Sequence, residues 1–284
     1  MTISELRGLF SKAYRHWSDD NAARHAAALA FYAILALAPL LLFAVSIAGQ
    51  FLDSASLQSS LLQSANSELG KGGGDLVKQI IQNSHTPGAS LAGAVSLLLA
   101  LLAASGLFGQ LEQSVTAIWG ISKRTGIRNF LIQKLIAVVM VLVFVSLILV
   151  WLGIDAVISY ARAHTAAGVG VWPSLSFLIS VAFLTLVFGI SFKALPRGLV
   201  GWGDVWIPAF VTAFGFAVAK YLLSLYFGLS GVGAAYGPAG ALVVILLWFY
   251  YSAQIFFYGI ELTFTYTYGY GKHKGEPEGE LQVS

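Results

Sequence analysis

The stretch Gly237–Thr267, GPAGALVVILLWFYYSAQIFFYGIELTFTYT, carries a single formal charge, Glu261, in about thirty residues. As a helix rising 1.5 Å per residue, it is long enough to cross a hydrocarbon core of about 30 Å. Pro238 suits a first helical turn, where its missing N–H costs nothing. Trp248, Tyr250, Tyr251, Tyr258, Tyr266 and Tyr268 give the stretch an aromatic density partly suited to membrane interfaces. A charge near hydrocarbon costs roughly 2.5–3.5 kcal/mol on insertion scales, so Glu261 needs a partner or access to water.

The chain as a whole is strongly apolar, with 57% hydrophobic and 10% charged residues and a mean hydropathy of +0.78, whereas soluble domains carry about 25% charged residues. These values describe an integral membrane protein with one membrane domain. With Cys 0 in the composition, disulfides, thiolate metal sites and cysteine nucleophiles are excluded. No cleavable signal peptide is expected, because the first apolar run begins after about 25 polar or amphipathic residues and is too long for an h-region.

The expected fold is all-α, a polytopic membrane protein with six transmembrane helices. The spans fall at about 26–50, 91–118, 132–158, 172–192, 205–227 and 239–267. With both termini cytoplasmic, the inner segments hold Arg7, Lys12, Arg15, Arg24, Lys123, Arg124, Arg128, Lys134, Lys193, Arg197, Lys272 and Lys274. The outer segments hold just Lys71, Lys78 and Arg162, the asymmetry of a positive-inside protein. Residues 51–90 place Leu57, Leu61, Leu62, Leu76 and Ile80 at helical spacing around Gly72–Gly74, which predicts a helical hairpin in the first outer loop. Residues 1–25 carry an amphipathic helix over 3–18, which either lies in the headgroup plane or packs beneath the bundle. Asp19, Asp20 and Asn21 supply the break and cap that follow it. The transmembrane domain occupies 26–268, and 269–284 reads as a disordered cytoplasmic tail.

Pro39 lies deep in the first span and predicts a helix kink there. Span two is rich in small residues, from Ala92, Gly93 and Ala94 to Gly106 and Gly109, which predicts a central position. Lys220 falls about 15 residues into span five, in the outer half of the membrane, and Asp155 falls near the outer edge of span three. Glu261 and Glu112 lie toward the inner edge, in a layer with Arg24, His25, Lys134, Lys193 and Arg197. Lys220, Glu261, Glu112, Arg24 and Asp155 are therefore the candidate substrate-pathway residues. Arg24 and Lys193 are the expected bases for Glu261.

Other chemistry is not indicated. The histidines His16, His25, His85, His164 and His273 form no His–His pair at ligand spacing and fall on both sides of the membrane. No metal site, cofactor or catalytic residue is expected, since G-x-S-x-G, Walker and H-E-x-x-H sequences are all lacking. The basic residues form no groove with interleaved aromatics, so nucleic acid is not an expected partner. The expected partners are membrane lipids, including anionic headgroups, and no oligomeric state follows from the sequence.

Arg24 with AAALAFYAILALAPL, AIWG at 117–120, Lys-Ala-Leu-Pro at 193–196, Lys220 with Tyr221, and YGPAGALVVILLWFYYSAQIFFYGIEL at 236–262 form a distinctive combination. Together they make the chain resemble the YihY/BrkB family of bacterial inner-membrane proteins over about residues 10–268. The resemblance implies six spans and a plasma-membrane location. Ribonuclease and virulence-factor labels have both been attached to that family. Nothing in the residues supports a nuclease, for which a metal-holding carboxylate or histidine cluster on the cytoplasmic side is needed. The leading expectation is a transporter or lipid translocase with a polar intramembrane site. A non-transporting scaffold or envelope-integrity protein comes second and an enzyme last.

Overall fold

The computed structural model of the chain describes residues 3–48, 89–120, 171–196, 199–230 and 240–274, with isolated positions between them. These residues form six helices and no strand. They are α1 (Ile3–Asp19), α2 (Ala22–Ala48), α3 (Ala89–Ile118), α4 (Val171–Ala194), α5 (Trp202–Ser230) and α6 (Gly240–Gly269). Helices α2 to α6 match expected spans one, two, four, five and six to within a few residues. Ser174–Ala194, Trp202–Tyr226 and Leu242–Gly269 are long and apolar enough to cross a membrane, and Ala22–Leu37 is a shorter apolar helix. Most of the third expected span, including Asp155, lies outside the described residues, as do nearly all of the 51–90 hairpin and most of the 228–240 loop.

Among the described residues, the helix that carries Glu261 is the hub of the fold. This helix, α6, packs against α1, α2 and α5 and touches α3 and α4. Span two, expected to be central because of its small residues, instead packs mainly on α2. Small residues permit close approach without deciding which helix supplies it: Gly106 of α3 lies against the Tyr32 ring of α2, and the tightest approach is made by Gly259 of α6. A β-carbon at Gly259 would overlap the Thr212 side chain of α5 and the Phe192 ring of α4. Ala209, Ala213 and Ala253 are buried along the same seam. The space is filled by aromatics: Phe192 lies 5.8 Å from Phe188 and 5.5 Å from Phe256, ring centre to ring centre.

α1 packs beneath the bundle. Leu9 and Ala13 are buried with Leu262 of α6, and the Tyr258 hydroxyl donates to the Phe10 carbonyl at 3.3 Å. Part of the apolar face of α1 is thus covered by α6, while Leu6 and Tyr14 on it remain exposed. The opposite face, with Arg7, Lys12 and Arg15, is exposed. Large apolar side chains are exposed on the outer faces of α4 and α5, among them Phe177, Leu178, Phe210, Phe214 and Leu222. Apolar faces of this extent suit lipid rather than water.

The tail is ordered further than its composition predicted. Asp204, in the first turn of α5, accepts the Gly201 N–H at 3.3 Å and the Lys272 N–H at 3.0 Å. The first contact is the return arm of a capping box; the second ties the chain beyond α6 to the start of α5. His273 Nε2 lies 2.9 Å from the Leu199 carbonyl oxygen. Residues 270–274, expected to be disordered, fold back on the end of α6: the Tyr270 and Gly271 N–H groups bond to the Tyr266 carbonyl and the His273 N–H to that of Thr267, while the Lys272 N–H goes to Asp204.

Candidate functional site

One end of the bundle gathers α1, the starts of α2 and α5, and the last turns of α3, α4 and α6. Its organising detail is the turn between α1 and α2. The Asp20 N–H still bonds to the His16 carbonyl at 2.9 Å, and Asn21 then takes φ 52. Asparagine tolerates this left-handed conformation better than most side chains, which is why it can close a helix. The Arg24 N–H returns to the Asn21 carbonyl at 2.8 Å, so α2 starts at once. The tight reversal brings Asp20 against α6, where it meets Glu261.

Glu261 is 1% exposed. Its carboxyl lies against that of Asp20, close enough for the two to share a hydrogen bond, while Oε1 is buried with no hydrogen-bond partner. His16, one helical turn before Asp20, completes the group: one ligand atom from each of His16, Asp20 and Glu261 lies within 4.8 Å of the others. Burial pushes the Asp20 carboxyl above its ordinary range. The bond to Glu261 and the proximity of His16 pull it partly back. Two carboxyl groups that bond to one another hold either a proton or a cation between them, because two bare carboxylates repel.

A polar string continues from this cluster to α3. His25, close enough to Asp20 to affect its charge, places Nδ1 3.1 Å from the Ser114 hydroxyl oxygen. Gln110 Nε2 donates to the same oxygen at 3.2 Å. The apolar wall consists of Phe257, whose ring centre is 6.3 Å from that of His25, and Phe264, 5.7 Å from His16. The indole N–H groups of Trp17 and Trp119 are also buried without hydrogen-bond partners.

The sequence candidates are distributed unevenly around this cluster. Glu261 is at its centre. Arg24 is exposed at the start of α2, and Lys193 donates to the Val200 carbonyl in the turn joining α4 to α5. The partners of Glu261 are therefore Asp20 and His16 rather than Arg24 or Lys193. Glu112 is half-buried on α3 and already engaged, and its carbonyl accepts the Thr116 hydroxyl at 2.8 Å. Lys220 is half-buried on α5 and also engaged. It lies about 18 residues, or roughly 27 Å, from the start of that helix, far from the carboxyl pair. α2 remains helical through Pro39.

The expectation of no carboxylate or histidine cluster at this end is corrected. It rested on pairing histidines with histidines. The pair His16 and Asp20, four residues apart and thus on one helical face, was the signal available in the sequence. Its meeting with Glu261 required the fold.

The fold and site define an all-helical membrane protein with a buried carboxylate and imidazole cluster at one end of its bundle. The chain belongs to the virulence factor BrkB family, whose profile matches residues 13–281, in agreement with the resemblance noted in the sequence. A UPF0761 membrane protein of Albidiferax ferrireducens is 27% identical over 82% of this chain and 56% of its own length. One from Alteromonas mediterranea is 25% identical over 91% of this chain and 87% of its own. One from Mannheimia succiniciproducens is 24% identical over 93% and 91%. The chain thus spans little more than half of the first relative and most of the other two. No solved structure matches.

Proposed function

We propose that the protein is a transporter or lipid translocase of the bacterial plasma membrane, with six spans and both termini cytoplasmic. Its working site is the Glu261–Asp20–His16 cluster at the inner end, and Lys220 contributes a positive charge to a separate outer part of the path. The observation that carries this reading is Glu261 itself, 1% exposed within a membrane-crossing helix with one oxygen unpartnered. An ionisable group kept there at a cost of a few kcal/mol points to an ion or substrate pathway. The basic residues at the α1 end favour that end as cytoplasmic and suit it to anionic headgroups. An enzyme that cleaves a polymer such as RNA is disfavoured, because a carboxyl this deeply buried is closed to a large substrate.

A scaffold role is favoured by one observation, the tie that the Asp20–Glu261 contact makes between α1 and α6. Reconstitution separates the two. Purified protein in proteoliposomes should accelerate lipid exchange between leaflets or solute uptake over empty vesicles. Lys220→Arg should retain more of that activity than Lys220→Met, with both variants inserting normally. Vesicles that behave like empty ones in both assays would remove the transport reading and leave the scaffold.

A further inference from the structure

The carboxyl pair has an unresolved electrostatic problem that His16 helps to define. Asp20 and Glu261 bring two potential negative charges into contact, one of them on a side chain 1% exposed. The Glu261 Oε1 atom has no donor facing it. An imidazole stands beside the pair, with one atom from each of the three residues inside 4.8 Å of the others. Ligands bound at about 2.0–2.2 Å around one ion sit at comparable mutual separations. Two carboxylates and a neutral imidazole around a dication give a site with no net charge, the condition under which buried charge is tolerated.

We propose that His16, Asp20 and Glu261 bind a single divalent transition-metal cation, with Zn²⁺ the best match, and that this ion fastens α1 to α6. The imidazole selects against Mg²⁺ and Ca²⁺, which prefer all-oxygen shells, and one nitrogen with two oxygens suits Zn²⁺ or Mn²⁺. The geometry of the turn supports a built site. The left-handed Asn21 ends α1 directly after Asp20, so His16 and Asp20 stay one helical turn apart and face the same residue of α6. Three protein ligands leave a further coordination position open. The site holds whether or not the protein transports, since binding is read without turnover.

The test uses the full chain in detergent after chelator treatment and dialysis, titrated with Co²⁺ as the coloured stand-in for Zn²⁺. The expected result is visible Co²⁺ absorption saturating at one ion per chain and removed by one equivalent of Zn²⁺. Glu261→Gln, Asp20→Asn and His16→Gln should each weaken binding at least as much as loss of a supporting residue around a metal does, roughly 10–100-fold. His273→Gln should bind as the unaltered chain does. Melting curves of the chelated variants verify folding, and half-buried His16 supplies the test if Glu261→Gln does not fold. Absence of Co²⁺ absorption in the unaltered chain overturns the proposal and leaves a shared proton between the carboxyls. Absorption that survives all three substitutions overturns it equally.

Discussion

Asp20, in the turn between α1 and α2, meets Glu261, inside α6, carboxyl to carboxyl. The contact joins residues near the two ends of the chain and fastens the amphipathic first helix to the hub of the bundle. The two groups must share a positive particle, whether a proton or a metal, to remain in contact.

That requirement predicts how Glu261 responds to substitution in chelator-treated protein. Glutamine keeps the shape and offers amide N–H donors to Asp20, so it should cost less stability than alanine. Alanine removes the partner of Asp20 and should cost about 1–3 kcal/mol, the usual penalty for stranding a buried polar group. Thermal unfolding in detergent reads the difference. Equal melting temperatures for Glu261→Ala and the unaltered chain would show that the contact contributes nothing.

Gly259 sits two residues before Glu261, where α6 comes closest to α4 and α5. In Gly259→Ala the new methyl group meets Thr212 and the Phe192 ring. The helices must part or the ring must turn, at a cost of about 1–3 kcal/mol. Phe192 is fully buried and has little room to turn. A lowered melting temperature is expected. A rise would mean that the α5–α6 seam is looser than described, since alanine otherwise favours the helix.

Topology is tested by labelling. Cysteines introduced at Ser64 and Ser284 of this Cys-free chain should react with an impermeant thiol reagent from opposite sides, Ser64→Cys from outside. Labelling of both from outside would overturn the six-span arrangement with cytoplasmic ends.

Much of the fold was legible because the membrane simplifies the code. Long runs with few charges become helices, and their boundaries came within a few residues for α2, α4, α5 and α6. The prominence of the last span was legible too, since Gly237–Thr267 combines length, small residues and one buried charge. Which helices pack together was not legible. Small residues in span two and at Gly259 look alike in sequence, yet Gly259 supports the central contact. The site was half legible. Glu261 stood out as a charge in an apolar helix, but depth alone suggested Arg24 and Lys193 as partners. Depth fixes a layer and leaves the direction around each helix axis free. That direction was set by the Asn21 turn, which aims Asp20 and His16 at α6 while Arg24 faces outward.

The central claim is that Glu261 works as an ionisable group and is more than a packing element. The direct measurement is the transport rate of Glu261→Gln in proteoliposomes against the unaltered chain, at equal reconstituted amounts and matched melting temperatures. The account predicts a folded protein whose lipid or solute movement falls by tenfold or more, about 1.4 kcal/mol or more in barrier. A folded Glu261→Gln that transports at the unaltered rate would contradict it.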